Sequence, residues 1–226
     1  MEINEIVWAT GMAMWTLLVI YGTRWTYNHW TSQGMEQMVA VYYNRKIVHM
    51  LAAGVVLLAV PFVFTDPLLP LIGGFSLGGF TAFMHRSKHR MYWVQNPENM
   101  NDSSFAIMLG LSVYLLWVLF DDPWLAVLPS LFMAFGDGVT GVVRNKMFSK
   151  RTKSAWGNVA MAIVCLPMGW FIGAESITSI PLWGLMSGAL ASFVERYEFG
   201  PIDDNILIAV SSTLLLILGA TLGPLM

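Results

Sequence analysis

The sequence predicts an all-α fold, a polytopic membrane helix bundle of about eight transmembrane helices in a single integral membrane domain over residues 1–226. Three observations predict it. The chain is 56% hydrophobic and only 12% charged, with mean hydropathy +0.61; a soluble domain carries about 25% charged residues. Apolar runs of roughly the 20 residues that a spanning helix needs recur along the chain. The Lys and Arg residues fall only in alternate links between those runs.

The first run, 6–23, follows Glu2 and Glu5 with no basic stretch ahead of it, so a cleaved signal peptide is not expected. The second covers 47–65. A "TDP" link at 65–67 opens the third, 67–84, with Pro67 near a helix start, where its missing N–H costs least. The fourth is 104–120. "DDPW" at 121–124 turns into the fifth, 124–143, and the sixth is 156–173. "ESITSIP" at 175–181 leads to the seventh, 180–195, which is short and rich in small residues, and the eighth is 205–223. Gly74–Gly78 and Gly184–Gly188 have the small-residue spacing of close helix packing. Cys165 is the one cysteine, which excludes an intrachain disulfide.

Eight spans place the links at 24–46, 85–103, 144–155 and 196–204 on one side. Those links, with the residues at their edges, hold Arg24, Arg45, Lys46, Arg86, Lys88, Arg90, Arg144, Lys146, Lys150, Arg151, Lys153 and Arg196, all twelve basic residues. The opposite side has Glu2, Glu5, Asp66, Asp121, Asp122 and Glu175. The positive-inside rule puts the basic links in the cytoplasm and both termini on the outer side. The cytoplasmic links are the longer ones, and long loops carry function. In "HRSKHRMYWVQNPENMND" the mixture of cations and aromatics reads first as an interfacial anchor.

Four stretches on the basic side carry candidate chemistry. Asp137, Thr140, Gly141 and Arg144 recur at i, i+3, i+4 and i+7, one polar or small face of a helix. A carboxylate there must face the bundle interior or a wet cleft; it is either the structural partner of Arg144 or a ligand for a divalent metal. Lys150, Arg151 and Lys153 precede Ser154 and Gly157 at the start of the sixth span. Cations beside a helix N-terminus suit phosphates, and the same cations also serve topology. Asp203, Asp204 and Asn205 open the eighth span after the Gly200-Pro201 break. One Asp caps a helix; two with an Asn exceed a cap and offer the hard oxygens that Mg²⁺ takes. Glu195 continues the small face of Gly184, Gly188 and Ala191. Arg45, Lys46 and His49 sit together at the inner end of the second span, as interface anchors or as site residues.

In that order, Arg45-Lys46-x-x-His49, Gly136-Asp137-Gly138 with Gly141, Lys153-Ser154-x-x-Gly157, and Glu195 followed by Asp203-Asp204-Asn205 resemble the dolichol kinase/phytol kinase family, CTP-dependent polyprenol kinases related to membrane cytidylyltransferases. The resemblance covers about residues 45–205. It implies transfer of a phosphoryl group from CTP to a long-chain isoprenoid alcohol at a cytoplasmic Mg²⁺-nucleotide site. It implies that Asp137, Asp203, Asp204 and Glu195 hold the metal and that Lys150 and Lys153 clamp the triphosphate. Arg144, Arg45, Lys46, Ser154, Gly157 and Asn205 would complete the nucleotide site, and one of the acids or His49 would take the alcohol proton. The expected partners are the bilayer, the lipid alcohol and the nucleotide, and not nucleic acid. A CTP-dependent cytidylyltransferase making a CDP-activated lipid is the alternative enzyme, and a small membrane transporter the alternative of another class.

Overall fold

A computed structural model describes residues 3–148 and 152–225. Seven helices in it are long and apolar enough to cross a membrane: α1 (Ile3–Ser32), α2 (Gln37–Val63), α3 (Leu68–Arg86), α4 (Asn101–Phe120), α5 (Pro123–Phe148), α6 (Ala155–Glu175) and α8 (Asp204–Leu222). The seventh in chain order, α7 (Pro181–Val194), is apolar but has 14 residues. At 1.5 Å per residue it is about 21 Å long, short of a hydrocarbon core of about 30 Å. The described residues contain no strand. The chain is an all-α bundle of membrane-spanning character.

The central post is α5. Its most apolar window is 78% buried, against 17–44% in the other six long helices. Leu125, Leu128, Leu131, Phe132 and Met133 are sealed from solvent and lipid on every side, and α2, α4, α6, α7 and α8 all pack on it. The remaining helices keep many apolar side chains outward, such as Phe62, Phe83, Ile163 and Leu214. In a membrane chain that outward face belongs to lipid.

Glycines set how closely the outer helices approach. A Cβ on Gly184 would stand 2.1 Å from the Gly169 carbonyl oxygen, and one on Gly188 would stand 2.4 Å from that of Cys165. The α6–α7 pair therefore packs backbone to backbone. Gly74 lies in the same way against the Ala106 carbonyl and Gly110, which joins α3 to α4. Both small-residue spacings visible in the sequence are packing seams.

Residues 24–46, expected as a long link, are mostly helix. α1 runs on to Ser32, α2 begins at Gln37, and the turn between them uses Gly34 at φ +89°. A 30-residue helix is about 45 Å long and outreaches the hydrocarbon. Its far end is polar yet helical, as a helix longer than the hydrocarbon is thick allows. The 85–103 link does more than anchor. Trp93 is buried with Ile20, Tyr27, Ala40 and Val41 in a second small core. Its indole N–H donates to the Ile20 carbonyl at 2.9 Å, and Asn44 Nδ2 donates to the Trp93 carbonyl at 2.8 Å. Of the link's Tyr92 and Trp93, Tyr92 stays exposed, as an interfacial aromatic would. Folded down in this way, the link delivers Asn96, Asn101 and Asp102 to the basic end of the bundle.

Two π-helical stretches interrupt the long helices, Val48–Gly54 in α2 and Phe132–Asp137 in α5. They pack on each other, and the Phe135 ring fills the space where a Gly54 side chain would be. Widened turns of this kind recur at functional sites; here they carry His49 and Asp137. At the other end of the bundle two acids, Glu5 and Asp122, are structural. Glu5 accepts from the Thr65 N–H and hydroxyl at 2.7 and 2.8 Å. Asp122 caps α5 through the Leu125 N–H at 3.1 Å and accepts from the Thr178 N–H and hydroxyl at 3.0 and 3.1 Å.

Candidate functional site

At the basic end, helices distant in sequence exchange charged side chains in one buried network. Asp137, at the last π-helical position of α5, receives Lys46 Nζ at 2.7 and 2.6 Å on its two oxygens. His49 Nδ1 stands 3.3 Å from the same carboxylate, and its ring stacks on Phe105 with centroids 3.9 Å apart. Arg144 forks onto Glu195 at 2.6 and 2.7 Å. It also donates to the Ser154 carbonyl at 3.1 Å and to Asn158 Oδ1 at 3.2 Å. Lys153 reaches Asp204 at 2.8 Å, the Glu195 carbonyl at 2.9 Å and Glu198 at 3.1 Å. Burial works against the Lys153 ammonium, but Asp204, then Glu195 and Glu198, outweigh it and raise its pKa above the ordinary lysine value. It stays charged at any physiological pH.

The glycines of the motifs are floors for these cations. A Cβ on Gly141 would lie 2.4 Å from Lys46 Cε, and one on Gly157 would lie 2.2 Å from Arg144 Nε. Gly138 makes room for Met50 in the same manner. The long side chains cross bare backbone because any side chain at these positions would block them.

Of the acids expected to gather, three do. Asp137, Glu195 and Asp204 each offer an oxygen within 4.8 Å of the others. Asp203 points elsewhere. It caps α8 by accepting from the Ile206 N–H at 3.0 Å, and Ser104 Oγ donates to its other oxygen. Burial raises its pKa, partly offset by those two hydrogen bonds. Arg45 turns from the cluster to Asp102, at 2.9 Å. Ser154 starts α6 without capping it; its hydroxyl is buried and unpartnered. Lys150 lies outside the described residues. The pairing considered for Asp137 and Arg144 does not form, because each takes another partner.

Phe105 and Asn158 belong to the network, while Asp102 and Ser104 hold the two side chains that face away from it, Arg45 and Asp203; none of the four was singled out from the sequence. Asn158, which bridges Arg144 and the Ser192 carbonyl, directly follows Gly157, so the Lys-Ser-x-x-Gly run carried a usable signal. Asp102 and Ser104 carried none.

The network encloses a cavity of about 40 Å³, lined by Lys46, Asp137, Arg144, Lys153, Asp204 and Asn205 among others. That is room for an ion with a little water and not for a nucleotide. Asn205 donates to the Asn101 carbonyl at 3.1 Å, while its buried Oδ1 has no partner. Three converging carboxylates and an orphaned amide oxygen form a hard-oxygen donor set, which suits Mg²⁺. Lys46, Arg144 and Lys153 meanwhile match the three acids one for one. Compared with known proteins, the chain matches no family model, no curated protein and no solved structure.

Proposed function

We propose that this protein is a membrane-embedded lipid kinase that transfers the terminal phosphoryl group of CTP to the hydroxyl of a long-chain isoprenoid alcohol. One observation carries the reading. Parts of all four motif pieces, spread over 160 residues of chain, meet in one largely buried cluster of charged side chains beside an ion-sized cavity. Hydrophobic packing alone would give no reason for that meeting. The choice of CTP and of an isoprenoid acceptor rests on the resemblance to polyprenol kinases.

Phosphoryl transfer asks chiefly for positioning and charge neutralisation. Asp137, Glu195 and Asp204, with Asn205, would hold the Mg²⁺, which would neutralise the charge that develops during phosphoryl transfer. Lys46 and Lys153 end in flexible stems beside the cavity, so each can turn from its carboxylate to a phosphate. Arg144 is held at four points and keeps Glu195 in place. One of the acids or His49, which lies between Phe105 and Asp137, would accept the alcohol proton. The depth of His49 within α2 suits a hydroxyl whose tail remains in hydrocarbon.

Purified protein with γ-labelled CTP and a polyprenol is expected to yield labelled lipid, and α-labelled CTP to yield none. Label from the α position only would make the protein a cytidylyltransferase. Transport is disfavoured because no Asp, Glu, Lys, Arg or His occupies the described spans between the Asp137 level and the Asp122 end.

In this reading all eight apolar helices traverse the bilayer and the site faces the cytoplasm. Lys146 and Glu175 are both exposed, near opposite ends of the bundle. Cysteines at Lys146 and Glu175 are expected to react from opposite sides of sealed vesicles, Lys146→Cys from the cytoplasmic side. Labelling of both from one side would overturn the topology.

A further inference from the structure

A larger cavity, about 200 Å³, adjoins the ion-sized one; Tyr42, Arg45 and Asn96 line both. Its lining has an unusual polar endowment. Asn145 is 5% exposed, and its side-chain nitrogen is buried without a hydrogen-bond partner. A buried donor left unmade is costly, and an acceptor on an occupant would satisfy it. Glu36 occupies the N-cap position of α2, yet its side chain caps nothing, so its carboxylate is left to the exposed rim. Between the two the wall is apolar, built by Met38, two valines and Tyr42.

The depth of the cavity identifies the kind of occupant. Asn145 follows Asp137 by eight residues, which places it about 12 Å farther along α5 toward the basic end. Glu36 likewise precedes Lys46, at the end of a helix that outreaches the hydrocarbon. The cavity is therefore on the aqueous side of the acid cluster. That is the wrong side for a lipid tail, and its distance from the acids suits the reach of a nucleotide from terminal phosphate to base.

We propose that this cavity is a base-reading subsite for an amino-bearing nucleobase, cytosine or adenine: the ring lies on Tyr42, a ring acceptor takes the Asn145 amide hydrogen, and the exocyclic amino group donates to Glu36. Arg45, on the wall shared by the two cavities, stands between base and phosphates. The inference rests on the reading of the inner cavity as a phosphate and metal site. Uracil puts a carbonyl where the amino group would be, and that oxygen would face the Glu36 carboxylate unpaired. A site built to pair a polar group discriminates strongly against its absence.

The test uses the full chain in detergent with Mg²⁺. Met38 is 42% exposed, and the native Cys165 is buried, so Met38→Cys provides one reactive thiol at the rim. CTP or ATP is expected to slow its alkylation by a maleimide about fivefold or more, while UTP and inorganic tripolyphosphate change it less than about twofold. Adding Asn145→Leu or Glu36→Leu is expected to remove the protection; Glu36 is exposed, so its variant carries little risk to folding. Protection by CTP alone assigns cytosine, and by ATP alone adenine. Equal protection by UTP or tripolyphosphate, or protection that survives both substitutions, would overturn the subsite. Absent protection by any nucleotide in a protein that still transfers γ-label would also overturn the subsite and leave the kinase reading intact. Absent protection together with absent transfer from every nucleoside triphosphate would overturn both.

Discussion

Asp137→Asn is expected to cut phosphoryl transfer by about 10²–10³-fold or more, the scale on which removing one preorganised electrostatic contact acts. It is also expected to destabilise the protein. Asp137 is matched by Lys46 at 2.6 Å, and both are buried. Removing one member of a buried pair leaves the other uncompensated, at a cost of about 3–5 kcal/mol. Loss of turnover in the single variant would thus be confounded by loss of fold. Asp137→Leu with Lys46→Met separates the two, because a buried pair replaced by apolar side chains of similar size is often neutral or stabilising. The double variant should recover the thermal midpoint in detergent and remain inactive. If it recovers both stability and turnover, Asp137 has no part in the chemistry.

Arg144→Met is expected to give the largest loss of stability, again about 3–5 kcal/mol, because it strands Glu195 in the interior. For a chain of this size that lowers the thermal midpoint by roughly 10 °C. Arg144→Lys keeps the charge and loses the fork. A single ammonium cannot hold both Glu195 oxygens, the Ser154 carbonyl and Asn158 at once. An intermediate loss of about 1–3 kcal/mol is expected. Thermal unfolding of the two variants beside Arg144→Met/Glu195→Leu checks this. A midpoint for Arg144→Met within a degree of the parent would mean that the fork contributes nothing.

The apolar cores of the helices were legible in the sequence because hydropathy reports on lipid contact. The ends of α1 and α2 were not. "RWTYNHWTSQGMEQMVAVYYNRK" is mostly helical but too polar for hydropathy to mark as helix, and Gly34 alone marks the turn. The polar face of Asp137, Thr140 and Arg144 was legible from helical spacing, and all three side chains are buried. Their partners were not legible, since Lys46 and Asp137 are 91 residues apart and Arg144 and Glu195 are 51 apart. Spacing within one helix carries no record of which other helix lies against it. Asp203 and Asp204 show the finest limit. Adjacent residues at a helix start point in different directions, so one caps the helix and the other meets Lys153; the order of two identical letters does not say which.

The central claim is that Asp137, Glu195 and Asp204 together hold a divalent ion, and Mn²⁺ binding followed by electron paramagnetic resonance tests it most directly. With CTP present, the purified protein should retain one Mn²⁺ per chain. Asp137→Asn, Glu195→Gln and Asp204→Asn should each abolish retention, and Asp203→Asn, whose side chain faces Ser104 and the α8 terminus, should not. Retention unchanged in Asp137→Asn and Asp204→Asn, or lost only in Asp203→Asn, would contradict the account.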